Sequence, residues 1–126
     1  MASVFVVNVQ CALAFIVSPA RYAASFQVGG LGAETAVQAM AVLFLMWNAT
    51  YPLVVIDPVR HFTLFGVVLV QQVIGVVGES WLWATLPQGA DALSSSLARF
   101  VAFDVVGLIL MACAYLVLRR SVHAVD

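Results

Sequence analysis

The sequence predicts an all-α protein: a single membrane domain of four transmembrane helices packed as an antiparallel up-down bundle, with a short interfacial helix after the first span. Three observations predict it. Of 126 residues, 64% are hydrophobic and only 9% are charged, and the mean hydropathy is +1.09, far above what filling one soluble core requires. The breakers Ser18-Pro19, Tyr51-Pro52, Leu86-Pro87 and Arg119-Arg120 divide the chain into four apolar runs. The runs lie at about 2–18, 33–51, 58–85 and 92–118, to be compared with the ~20 residues that cross a ~30 Å hydrocarbon layer.

Taken in order, the first run is the shortest and is expected to end at Ser18-Pro19. A secretory signal peptide is the alternative for residues 1–18, but no basic region precedes the apolar stretch and Ser18-Pro19-Ala20 is a poor cleavage site. Ser18 before Pro19 sets a side-chain acceptor at an N-cap and proline at the first helical position, which predicts a short helix over "PARYAASF" before the glycine-rich "GGLG" turn. The second run is expected to stop at Tyr51-Pro52, and Asp57-Pro58 repeats the cap signal to open the third at 58. The fourth begins just before Leu93 and closes on the arginine pair.

The net charge is −1, lysine is absent, and five arginines carry all the permanent positive charge. No basic patch exists, so nucleic acid is excluded as a partner and the lipid bilayer is the expected surroundings. Arg60, Arg119 and Arg120 flank one set of span ends, and Arg21 and Arg99 the other. The majority predicts cytoplasmic termini in a bacterial inner membrane, with Trp81 and Trp83 in the outer aromatic belt and Trp47 and Tyr51 in the inner one. The Asn48-Ala49-Thr50 sequon then sits at a cytoplasmic helix end and is not glycosylated. Cys11 and Cys113 fall in separate apolar runs without redox or zinc spacing and are expected to be small core residues.

Polar residues inside the spans are the functional lead. In "GVVLVQQVIGVVGES", Gln71, Gln72, Gly75, Gly78 and Glu79 fall within an arc of about 120° on a helix of 100° per residue. Lipid offers amides no partners, so this arc is expected to face another helix that the glycines allow to approach. Glu34, Gln38, Ala41, Leu45 and Asn48 make a second such stripe, and Phe100, Asp104, Gly107, Met111 and Ala114 a third. If the last two spans lie antiparallel with Arg60 and Arg119 at one surface, a rise of about 1.5 Å per residue brings Glu79 level with Arg99 and Asp104 level with Gly75.

The candidate polar cluster is therefore Glu34, Gln38, Gln71, Gln72, Glu79, Arg99 and Asp104, in the extracytoplasmic half of the bundle. Gln71 and Gln72 are either interhelical hydrogen-bond donors and acceptors or the polar walls of a solute site. Glu79 with Arg99 is either a structural ion pair or a holder of an anionic headgroup or substrate. Asp104, deepest of the acids, is either a proton- or ligand-handling group or a buried hydrogen-bond partner of Gln72. His61 sits beside Arg60 as a headgroup residue, with axial ligation of a tetrapyrrole as its alternative, and His123 lies in the polar tail. Neither a nucleophile-base pair, nor a phosphate loop, nor a paired set of metal ligands can be read, and no cofactor is indicated.

The succession of a short span ending in "SPARYAASF", a glycine-containing turn, "AVQAMAVLFLMWNATYP" and "DPVRHFTLFGVVLVQQVIG" resembles the DoxX-like small four-helix membrane proteins over roughly residues 13–118. That resemblance implies a membrane protein without one common activity, in some cases attached to redox or secretory machinery, and it carries over no site residue. The expected function is that of a non-enzymatic accessory or structural subunit, or a homo-oligomeric bundle, associated with copies of itself or with other membrane subunits. The alternative is a small ion- or proton-coupled transporter or channel. A water-filled cavity reaching Asp104 separates the two.

Overall fold

The computed structural model describes residues 1–26 and 28–123, and among these all regular structure is helical. Helix α1 spans Ala2–Val17 and α2 spans Pro19–Ser25. Pro19 has no N–H for the Phe15 carbonyl and its ring clashes with the preceding turn, so the chain bends by 105° between the two. The bend also strands the Ile16 carbonyl, which accepts from Gln38 Nε2 at 3.4 Å. The predicted proline at the first position of α2 is in place, but the Ser18 side chain makes no capping bond.

Helix α3 spans Leu31–Asn48 and follows Gly30, whose φ of +82° is a left-handed conformation that favours glycine. The predicted stop at Tyr51-Pro52 is overturned. After a turn at Ala49 and Thr50, α4 resumes over Tyr51–Ile56, and the two helices form one apolar stretch of 26 residues, Leu31–Ile56. Pro52 lies in the first turn of α4, where a main-chain N–H has no intrahelical acceptor, so proline costs the helix nothing there.

The third span likewise starts later than expected. Asp57 Oδ1 accepts the Arg60 N–H at 3.0 Å and closes a turn through Pro58, and α5 runs only from Phe62 to Ala84. Helix α6 spans Asp91–His123; the His123 side chain lies outside the described ones. Three stretches, Leu31–Ile56, Phe62–Ala84 and Asp91–Ser121, are long and apolar enough to cross a membrane, and the bent α1–α2 pair makes a fourth if it counts as one span.

Helix α5 packs along α6, α1 along α3, and α4 bridges α1 to α5. Phe62 stacks on Tyr115 at 4.7 Å, Gly75 lies against Asp104, and Trp83 Nε1 donates to Ser94 Oγ at 2.9 Å, so positions that rise along α5 fall along α6. Val4, Tyr51, Val54, Phe65, Val68 and Met111 form one core cluster, joining α1, α4, α5 and α6. Ala12, Phe15, Ala23, Val37 and Ala41 form another within α1, α2 and α3. The outward faces are apolar: Val70, Ile74 and Val77 on α5 and Val106, Ile109 and Leu110 on α6 are all exposed. Cys11 is half-buried, but Cys113 is exposed on such an apolar face and is not a core residue. Tyr51 is fully buried, so it belongs to the core and not to an aromatic belt.

Candidate functional site

Between the two core clusters the helices part around a cavity of about 440 Å³. Helix α1 contributes Asn8 and Phe15, α3 contributes Trp47 and Asn48, α5 contributes Gln72, Gly75 and Glu79, and α6 contributes Ser96, Arg99, Phe100, Phe103 and Asp104. The 105° bend carries α2 against α3 and α6, where Tyr22, Ser25 and Phe26 complete the lining.

Two glycines set how closely the walls approach. A Cβ built on Gly75 would lie 3.3 Å from Asp104 Oδ2, so glycine is what lets that carboxylate rest against α5. A Cβ on Gly107 would lie 3.2 Å from Val4 Cγ2, so α1 seats on α6 at the same kind of position. Gly78, expected on the inward arc, is exposed with nothing near its Cβ position. The inward face of α5 is instead Phe65, Val68, Gln72, Gly75 and Glu79, and a Cβ built on Gly66 would lie 3.8 Å from the Tyr115 hydroxyl.

Gln72 is buried and both ends of its amide are used. Tyr51 Oη donates to its Oε1 at 3.0 Å, and its Nε2 donates to the main-chain carbonyl of Asp104 at 3.2 Å. One side chain thereby ties α4, α5 and α6. The expected partnership of Gln72 with Asp104 exists, but its acceptor is the backbone. Gln71 is separate from the cavity and accepts from Thr50 Oγ1 at 3.5 Å. In the wall made by α1 and α3, Asn8 Nδ2 donates to Asn48 Oδ1 at 3.3 Å and Asn48 Nδ2 donates to the Phe44 carbonyl at 2.8 Å.

The contacts of Gly75 with Asp104 and of Trp83 with Ser94 bracket Glu79 and Arg99 at one level on facing helices. Both line the cavity, yet no ion pair forms between them. The Arg99 guanidinium is exposed and donates to Ser96 Oγ at 3.3 Å, one turn earlier on its own helix, while Glu79 Oε2 is buried without a hydrogen-bond partner. An acceptor left unpaired in this way costs about 1–3 kcal/mol or more, so a bound donor or cation is the natural complement of this group.

Of the seven predicted residues, Gln72, Glu79, Arg99 and Asp104 meet around one cavity. Glu34 lies in the first turn of α3 and Gln38 serves the end of α1; both are outside it, as is Gln71. Asn8, Asn48 and Ser96 are among the liners that were not predicted as site residues, as are Trp47 and the other aromatic side chains of the wall. Asn8 carried a usable signal, an amide inside the apolar run "VFVVNVQCALAF", the same signature as Gln72.

No family model matches the chain, and no curated protein or solved structure is significantly similar to it.

Proposed function

We propose that the chain is an integral protein of a bacterial inner membrane, a four-span antiparallel bundle with cytoplasmic termini, and that it is a small transporter holding its solute in the cavity between the helices. The observation that carries this reading is the 440 Å³ cavity, which reaches Asp104 in the interior of one apolar span and Glu79 near the end of another. Its volume falls within the ~300–1,000 Å³ of small-molecule sites. Ionisable side chains at such depth are costly, and they mark solute or ion pathways when they face a cavity. The opposite run of contacts along α5 and α6 supports the antiparallel arrangement.

A second reading, an accessory or homo-oligomeric structural subunit, is supported by the complete bonding of Gln72 and by the broad apolar outer faces that a second copy or another membrane subunit can cover. The DoxX-like layout belongs with this reading, since the resemblance implies attachment to other machinery. Hydration of the cavity separates the two. In a background with Cys11 and Cys113 replaced by alanine, single Ser96→Cys, Phe103→Cys and Val106→Cys variants are treated in membranes with an impermeant thiol reagent. The transporter reading expects labelling at 96 and 103, which line the cavity, and none at 106, which faces outward. Unreactive cysteines at both 96 and 103 would establish a dry, structural cavity.

A further inference from the structure

Resting on the cavity being a solute site, we infer that the solute is a monovalent organic cation with an aromatic or branched apolar body. Three features of the cavity select this class together. Two carboxylates, Glu79 on α5 and Asp104 on α6, line it against one guanidinium, so acidic groups outnumber basic ones. The guanidinium is not used on either acid: Arg99 is exposed and bonded to Ser96, and Glu79 Oε2 is buried with no protein donor. The remaining wall is largely aromatic, with Phe15, Phe44, Trp47, Phe100 and Phe103 presenting rings around the space next to the acids.

The other classes fit less well. Calcium takes 6–8 oxygen ligands and magnesium demands an octahedral shell, whereas the side-chain amides here already bond to protein groups: Asn8 Nδ2 to Asn48 Oδ1, Asn48 Nδ2 to the Phe44 carbonyl, and Gln72 to the Tyr51 hydroxyl and the Asp104 carbonyl. An anion drawn to the Arg99 guanidinium would lie in a cavity lined by two carboxylates. A neutral apolar solute would leave Glu79 Oε2 without a partner. An ammonium or phosphonium centre with hydrocarbon substituents satisfies the acids electrostatically without donating hydrogen bonds in a fixed geometry, and ring faces attract its diffuse charge within ~6 Å. The tight seat of Asp104 against Gly75 sets one acid at the cavity wall on one helix and Glu79 one turn further along the facing helix.

The test uses two ions of nearly identical shape and opposite charge, tetraphenylphosphonium and tetraphenylborate, with the purified full-length chain in lipid nanodiscs. Equilibrium binding is measured against empty nanodiscs to remove membrane partitioning. The expected result is saturable binding of the phosphonium and none of the borate, with affinity falling at least tenfold in both Glu79→Gln and Asp104→Asn and holding or rising in Arg99→Gln. Thermal unfolding of each variant without ligand identifies any loss that comes from misfolding, and Val106→Ala, on the outward face of α6 and away from the cavity, serves as a folded control that retains phosphonium binding. Saturable borate binding abolished by Arg99→Gln would overturn the cation assignment while leaving a solute site in place. Phosphonium binding unchanged in the double variant Glu79→Gln, Asp104→Asn would do the same. Absence of binding by either ion in a protein whose position 96 and 103 cysteines are labelled refutes the cation class alone, whereas absence together with unreactive cysteines refutes the solute site itself.

Discussion

At the residue scale, Gln72 shows why an amide appears in the middle of a greasy helix. Its side chain accepts from Tyr51 and donates to the Asp104 carbonyl, so three helices share one polar group and none exposes it to lipid. Replacing Gln72 by leucine strands the buried Tyr51 hydroxyl and is expected to destabilise the detergent-solubilised protein by about 1–3 kcal/mol. Adding Tyr51→Phe to Gln72→Leu removes the stranded group and should recover part of that loss. Additive losses in this double-mutant cycle, followed by thermal unfolding, would show that the two side chains are not coupled. Asp104→Leu, by contrast, leaves the Gln72 bond intact because its acceptor is main chain, so its effect on stability should be smaller than that of Gln72→Leu. The sequence placed Asp104 level with Gly75 and within reach of Gln72, but it could not say which oxygen would accept. That choice depends on the rotation of α6 about its own axis, and one residue of rotation is about 100°.

At the element scale, glycines on one helix have opposite roles according to what lies across from them. Gly75 touches Asp104 of α6, whereas Gly78, less than one turn further along, faces open space. Gly75→Leu should therefore force α5 and α6 apart and cost about 1–3 kcal/mol, as overpacking does in other tightly packed sites. Gly78→Ala should instead stabilise α5 by about 0.5–1 kcal/mol through its better helix propensity. Thermal melts of the two variants in one detergent check the pair, and equal melting temperatures would mean that the assigned inward face of α5 is wrong. The element boundaries show a similar dependence on surroundings. Pro19 breaks the chain by 105°, yet Pro52, just as visible in the sequence, sits harmlessly in the first turn of α4 and lets the span continue to Ile56. Proline marks a place where an N–H is missing; whether the helix axis turns there is set by the turn at Ala49 and Thr50 and by the packing of α4 against α1 and α5.

At the scale of the whole molecule, the charge asymmetry and the cavity bear on each other. Met1, Arg60 and Arg119 lie towards one end of the helices, and the cavity liners Glu79, Ser96 and Arg99 lie towards the other. If the arginine majority sets the topology, cysteines introduced at Ser3 and Ser121 are protected from an impermeant reagent in intact cells and a cysteine at Gln88 is labelled. The reverse pattern would invert the proposed orientation and turn the cavity towards the cytoplasm. The linear pattern of residues was enough for the helical class, the apolar stretches and the sharp break after the first of them. In a hydrocarbon medium every backbone N–H and C=O is satisfied within its own helix, so span length and composition are local properties that a linear pattern carries. The short helix over Pro19–Ser25 was legible for the same reason, because proline acts on its own preceding turn. Helix packing is what sets Gln71, Glu34 and Gln38 apart from the cavity, joins Asn8 to Asn48 in its wall, and turns Arg99 to Ser96 with Glu79 Oε2 left unpartnered. Those outcomes depend on how the helices are rotated against one another. Without a hydrophobic drive between helices in lipid, close packing at glycines and shared hydrogen bonds set that rotation, and both involve groups far apart in the chain.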